Sequence, residues 1–232
     1  MIKSIFNWSG GKDSALALYD VLQNDKIEIQ SMITTMNQER GRISMHGVRE
    51  SLLDLQAKSI GLPLKKVKLS EMPSMEEYDT QMKLMLEDYK ADGITHSIFG
   101  DIFLEDLKQF RDEKLNSIGM TGLYPLWKQD TDEIMNRFIE SGFKSIVVCV
   151  NSKCLDASFL GRELDHQFMK DLPENVDICG ENGEFHTFVY DGPIFSSPIP
   201  FKIGEIVFRD YSKDQKSNSR HDAGFGYLDL LD

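Results

Sequence analysis

The sequence predicts an α/β protein, built as a parallel sheet with helices on both faces and followed by a smaller α+β unit. Three observations lead there. Through the first half, apolar runs of strand length alternate with longer stretches of helical periodicity. Between the first strand and the first helix stands a glycine pair, at the edge where such sheets bind ligands. After "GMTGLYPLW" the strict alternation ends and the chain becomes richer in loops.

The elements follow in order. Residues 2–8 read as a strand, 13–22 as a helix and 27–35 as a second strand. Residues 46–60 are helical, 64–69 form a strand and 75–91 a helix. A strand at 94–99 precedes a helix at about 104–117. Strand and helix in turn make βαβ units, whose crossovers are right-handed and whose strands are therefore parallel. Helix 131–141 and strand 145–150 continue the theme, and "FKIGEIVFRDY" reads as a late strand or hairpin. The expected division is residues 1–122, 123–210 and a partly flexible tail, 211–232, whose apolar tip from Phe225 to Leu231 is free to dock.

Composition narrows the partners. The chain has 232 residues and a formal net charge of −12, without the basic stripe that phosphate backbones demand. Nucleic acid is therefore disfavoured. "PLKKVKL" is the nearest basic cluster, and alternation within a strand explains it. No apolar run approaches the roughly 18 residues of a membrane span. No apolar signal core follows Met1, so no leader is expected. Three cysteines (Cys149, Cys154, Cys179), with no paired motif, argue for a reducing, cytoplasmic setting and against a zinc site. Cys149 lies in an apolar run and reads as core rather than as a sulfur carrier.

The glycine pair belongs to "SGGKDS", Ser9 to Ser14. A helix starting near Asp13 leaves its first amides unpaired and adds partial positive charge there. Gly10 and Gly11 let the backbone turn and approach an anion, Lys12 adds a cation, and Ser9 and Ser14 add hydroxyls. The bland alternative is a capped helix after a glycine turn, with Asp13 facing the dipole. Taken together, the residues favour a phosphate cradle. It is not the Walker loop, which needs GxxxxGK[ST], so γ-phosphate transfer is not implied.

The string resembles the pyrophosphate (PP) loop of the N-type ATP pyrophosphatases, the adenine nucleotide α-hydrolase-like superfamily. The resemblance implies a Rossmann-like, HUP-type sheet. It implies a loop that holds the β- and γ-phosphates of ATP while an acceptor oxygen attacks the α-phosphorus. AMP is then attached to the acceptor, pyrophosphate leaves, and a nitrogen or sulfur nucleophile displaces AMP.

A second constellation is "CGENGEFHTFVYDGPIF". Glu181, Asn182, Glu184, His186, Thr187 and Asp191 gather among glycines, and strand alternation would put Glu184, His186 and Phe188 on one face. Clustered acids can hold Mg²⁺, deprotonate ammonia or bind a cation; a solvated turn entering a strand explains them equally well. The stretch resembles the signature of the diphthine–ammonia ligase family, GEGGEYETF followed by D-x-P-x-F. Gly180, Glu181, Gly183, Glu184, Thr187, Phe188, Asp191, Pro193 and Phe195 match. Gly100, Ile102, Asp106, Arg111, Glu113, Leu126 and Trp127 also fall on its elements, so the likeness runs from about Ile5 to Phe195. Asn182 replaces a glycine, His186 an acid, Gly192 a cysteine and Asp101 a small residue. The pattern is closer to that of short relatives for which a role in cobalamin salvage has been suggested.

Other residues remain open between two readings. His46 follows the second strand and either touches the nucleotide or is structural. Arg111 either captures a carboxylate or phosphate or pairs along its helix. Asp101 ends a strand at the ligand edge, where it suits a metal, a ribose hydroxyl or a turn.

The expectation is an ATP- and Mg²⁺-dependent ligase that adenylates a small-molecule or protein-borne carboxylate and forms an amide with ammonia or an amine. Lys12, Glu181 and Glu184 are its catalytic candidates. Ser9, Gly10, Gly11, Lys12, Asp13, Ser14, His46 and Asp101 are assigned to ATP, and Asn182, His186, Thr187 and Arg111 to substrate. No residue is assigned as a metal ligand, and a homodimer is one assembly the sequence allows. The rivals are a tRNA-modifying enzyme of the same chemistry and a non-catalytic protein that binds ATP or AMP.

Overall fold

The computed structural model describes residues 1–43, 46–210 and 224–232. Its first sheet is built on β1 (Ile2–Asn7), β2 (Ile27–Asn37), β4 (Leu64–Leu69), β5 (His96–Ile98) and β6 (Thr121–Leu123). These five run parallel in the spatial order β4-β2-β1-β5-β6. The short β3 (Arg42–Ile43) pairs antiparallel with the far end of β2. The chain thus winds one way from β1 and back the other way from β5. Between those two strands lies the switch point where open α/β sheets bind ligands. Asn7 joins them there, its Nδ2 donating to Ser97 Oγ and the Ile98 carbonyl, both at 2.8 Å.

The second sheet is antiparallel, in the order β8 (Phe185–Asp191), β7 (Lys144–Asn151), β10 (Gly224–Leu231) and β9 (Lys202–Asp210). Helices α1 (Lys12–Leu22), α2 (Glu50–Ile60) and α5 (Thr131–Glu140) send their apolar residues into one core between the two sheets. Phe6, Leu16, Leu52, Phe138, Val147, Phe188 and Leu230 all belong to it. Helices α3 (Met75–Ala91) and α4 (Glu105–Ser117) cover the other face of the first sheet, packing Met85, Leu86 and Leu115 with Ile5, Ile33 and Val67. A short α6 (His166–Asp171) packs Phe168 edge-on to Phe185 of β8. No helix among the described residues is long and apolar enough to cross a membrane.

Two expectations need correction. The helix expected over residues 46–60 starts only at Glu50. Gly47 takes a left-handed φ of 71°, and Arg49 bridges back to Arg42 with extended backbone, so His46 lies in a turn before the helix. Residues 224–231, read as the tip of a tail, form β10 between β7 and β9. Apolar residues there pack on two separate clusters, Phe225 and Tyr227 with Cys149 and Leu228 and Leu230 in the main core, which suits an inner strand rather than an appendage. The rest of the expected tail, 211–223, lies outside the described residues.

Candidate active site

The glycine loop ends β1 and opens α1. Gly10 has φ of 78°, in the left-handed region that favours glycine, and a Cβ there would sit 2.8 Å from Gln56 Oε1. A Cβ on Gly11 would lie 3.1 Å from His46 Cε1 and 3.2 Å from the Thr187 carbonyl oxygen. A side chain at Gly10 would be strained and crowded, and one at Gly11 would press on His46 and the Thr187 backbone.

The loop is stitched to β8, which lies far away in sequence. Val189 N donates to the Gly10 carbonyl at 2.9 Å, and Lys12 N donates to Thr187 Oγ1 at 3.0 Å. One amide of the α1 N-terminus is therefore held by a threonine hydroxyl of the second sheet. Buried Gln56 ties the joint: it accepts from Trp8 Nε1 at 3.0 Å and donates to the carbonyls of Gly10 and Val189 at 3.1 and 2.7 Å. Ser14 Oγ donates to the Gly11 carbonyl at 2.9 Å and lies 3.0 Å from Ser9 Oγ.

Charge gathers beside the loop. The Lys12 ammonium is buried, 2.8 Å from Asp13 Oδ2 and 5.4 Å from the centre of the Phe185 ring. Burial works against its charge, but Asp13, together with Cys179 and Glu181, holds Lys12 above its ordinary value. Glu181 Oε1 accepts from Ile102 N at 2.8 Å. Burial, reinforced by Asp13, pushes the Glu181 carboxyl up to about 7. Glu184 Oε1 accepts from Asp177 N and Asn182 Nδ2, each at 3.1 Å. The His46 and His186 rings stack at 4.5 Å, and burial lowers both, His46 to about 4. Both imidazoles are neutral at physiological pH.

Three buried side-chain atoms here have no hydrogen-bond partner: Asp13 Oδ1, Glu184 Oε2 and His186 Nε2. Buried polar atoms in folded proteins are nearly always satisfied. One orphan lies in the loop and two at the start of the strand stitched to it, which marks a place built to receive something polar.

The sequence profile of the diphthamide synthase N-terminal domain matches residues 2–122, more than half of the chain. The chain belongs to the diphthamide synthase family. The family's C-terminal domain profile matches residues 130–216. Curated proteins named diphthine–ammonia ligase, from Bos taurus and Homo sapiens, are each 26% identical to it over 227 residues, covering 86% of this chain and 82% of theirs. The one from Saccharomyces cerevisiae is 26% identical over 224 residues, covering 81% of this chain and 32% of its own length.

Within this diphthamide synthase fold, Ser9 to Ser14, His46, Glu181, His186 and Thr187 converge on the start of α1. Glu184 and Asn182 lie beside them; Glu184 is buried and Asn182 exposed at the rim. Asp101 and Arg111 pair with each other, and the guanidinium stacks 4.5 Å from the centre of the Phe99 ring. The ion pair that Arg111 makes is with Asp101 rather than along its helix. Among the described residues, no group of three or more His, Cys, Asp or Glu is placed to hold a metal.

Sequence reasoning missed Gln56, Asp177 and Asp229. Gln56 did carry a signal, because it lies three and four positions after Leu53 and Leu52, on the apolar stripe of α2. Asp177 Oδ2 accepts from the backbone amides of Cys179 and Glu181 at 3.2 and 2.9 Å, shaping the acidic turn. Asp229 of β10 accepts from Arg42 at 2.7 Å and from Arg49 at 3.1 and 2.7 Å, while Arg42 also donates to the Gly47 carbonyl at 2.7 Å. These bonds anchor both sides of the turn that bears His46.

Proposed function

We propose that the chain is an ATP-dependent ligase that converts an acceptor carboxylate to an amide with ammonia, releasing AMP and pyrophosphate. The observation that carries this reading is the cluster of orphaned buried atoms around a helix-opening glycine loop, in a member of the diphthamide synthase family. Diphthine, named in the relatives, is the acceptor proposed here.

The loop from Ser9 to Ser14, with the Lys12 ammonium, holds the β- and γ-phosphates at the helix N-terminus. An acceptor carboxylate oxygen attacks the α-phosphorus, the bond to the bridging oxygen breaks, and pyrophosphate leaves. Lys12 steadies the negative charge that builds on that leaving group. Ammonia then attacks the acyl carbon, the bond to AMP breaks, and the proton shed by nitrogen passes to Glu181. With a pKa of about 7, Glu181 suits a base working near neutrality. Glu184 Oε2, an acceptor lacking a donor, positions the nitrogen nucleophile.

Neutral His46 and His186, with Thr187, wall the pocket against water. His46 and Asp101 line the nucleotide side, and Asn182 and Arg111 the acceptor side. Mg²⁺ bound with ATP supplies charge neutralisation on the polyphosphate. Asp13 Oδ1, a buried carboxylate oxygen without a partner, fits that ion or its water, and the phosphates would complete the shell, as is usual for this metal.

The test is product stoichiometry. Incubation with ATP, ammonium and a diphthine-bearing acceptor should yield AMP and pyrophosphate in equal amounts, with amide formed one for one. ADP as the product would refute the reading. AMP released without amide would leave adenylation standing and remove ammonia from it.

A further inference from the structure

We infer that β9 is the interface through which two copies of this chain pair, edge to edge, about a twofold axis. The strand is the outermost of its sheet: β10 occupies one side, and no described strand occupies the other. It is nine residues long, has no proline, and carries its only lysine at its first position. Protected edges are usually short, bulged or charged in the middle; here a bulge at Gly204 and Glu205 leaves residues 206–210 in unbroken register with β10, and no charged residue falls between Glu205 and Arg209.

Apolar exposure is concentrated on it. Ile203 is 63% exposed, Ile206 45%, Val207 42% and Phe208 60%. The other large exposed apolar residues, such as Met1, Leu22, Met72 and Leu84, are spread over other elements. A contiguous apolar strand edge of this kind is a template for a further strand.

The occupant follows from charge. A twofold axis perpendicular to the sheet sets each residue opposite one of the same face, so opposed numbers must differ by an even amount. Centring the axis on Val207 sets Val207 against its own copy and Ile206 against Phe208, twice. It also sets Glu205 against Arg209, twice. Among the described residues, neither Glu205 nor Arg209 makes an ion pair. Centring one residue earlier sets Glu205 against Val207, matching charge to apolar side chain. One register therefore satisfies both kinds of contact, and it is self-complementary. A second copy of this chain is the partner that fits. The active site, at β8, lies at the opposite edge of the same sheet, so pairing leaves it open.

The test uses charge reversal, read by sedimentation equilibrium on the full chain. The parent protein should be a dimer. Glu205→Arg and Arg209→Glu should each weaken it by roughly ten- to a hundredfold, since two cross-strand attractions become repulsions. Mixing the two single variants should restore a dimer, as should the double variant Glu205→Arg/Arg209→Glu. Both sites are on an exposed edge, so unchanged circular dichroism and melting should confirm that the variants fold. A monomeric parent would overturn the inference, whether the edge is free or covered by another partner. So would a dimer that the single variants leave intact, or single variants that fail to recombine.

Discussion

Two charged clusters face each other across the turn that bears His46, and they are built on opposite rules. At the Arg42–Arg49–Asp229 cluster both carboxylate oxygens meet arginine donors, and the two arginines hold the Asp229 carboxyl down to about 2. At the glycine loop, Lys12 has one carboxylate partner, while oxygens of Asp13 and Glu184 and a nitrogen of His186 have none. The first cluster is complete without a ligand and so holds structure. The second carries unpaired groups in a desolvated place, an arrangement that destabilises the free protein and becomes favourable when a ligand supplies the missing partners. A completed network and an unfinished one should therefore respond differently to the same kind of substitution.

The largest effect is expected at Lys12. Lys12→Ala should lower AMP and pyrophosphate formation by about a hundred- to a thousandfold, the usual loss when a preorganised charge partner of the transition state is removed. It also strands the Asp13 carboxylate, so stability should fall by about 3–5 kcal/mol. Lys12→Met with Asp13→Asn removes both charges and should recover most of the stability in a denaturant titration, with no recovery of turnover. Recovery of turnover with stability would place Lys12 in the same class as the arginine cluster.

Glu181 comes next and is read from pH. Its carboxyl, raised from an ordinary 4.5 to about 7, binds more protons folded than unfolded between those values. Stability from this group is thus complete below about pH 4.5 and is lost as pH rises through 7. Activity runs the other way, because the base works only as carboxylate. The rate should climb with pH to a plateau above about 7. Glu181→Gln should abolish that limb, cost roughly a hundredfold in rate, and make the protein more stable than its parent at pH 8. A rate profile unchanged in the variant would remove Glu181 from the chemistry.

How much of this contrast could be read in advance depends on sequence distance. Ser9 to Ser14 form a local device, strand to turn to helix, and their chemistry is written within a few residues. Glu181, Glu184, His186 and Thr187 were legible as a cluster, but not their contact with the loop. Lys12 meets Thr187 at a separation of 175 residues, and Gln56 meets Val189 at 133. Such contacts depend on how the second sheet packs on α1 and α2, which local periodicity does not encode. The same reason hid Asp229, whose partners lie 187 and 180 residues away. Residues 46–49 were misread because His46 to Ile60 has helical composition, and only the tertiary pull of Asp229 on Arg42 and Arg49 shows why the turn persists.

Gln56 belongs to neither cluster yet joins the loop to β8, so it tests whether the unfinished site depends on its frame. Gln56→Leu keeps the volume but leaves Trp8 Nε1 and the Val189 carbonyl without their buried partner. A loss of about 1–3 kcal/mol is expected, measured by urea unfolding. Affinity for ATP should weaken along with it, because the Gly10 carbonyl loses one of its two donors.

The smallest effect is expected at Asp229, where the comparison is sharpest. Asp229→Asn retains the shape and some hydrogen bonds, and the pair is partly solvated, so about 1 kcal/mol should be lost at neutral pH. Its acid dependence is the distinguishing mark. The folded carboxyl titrates at about 2 against an ordinary 3.8, so the folded protein binds fewer protons in that interval. The contribution is present above about pH 4 and disappears as pH falls through 2. Parent and variant stabilities should therefore converge in acid, while turnover per folded molecule at pH 7 changes less than twofold. A gap that persists at pH 2 would mean that Asp229 acts through packing. A large loss of turnover would mean that the satisfied cluster, like the unsatisfied one, takes part in the reaction by fixing His46 over the loop.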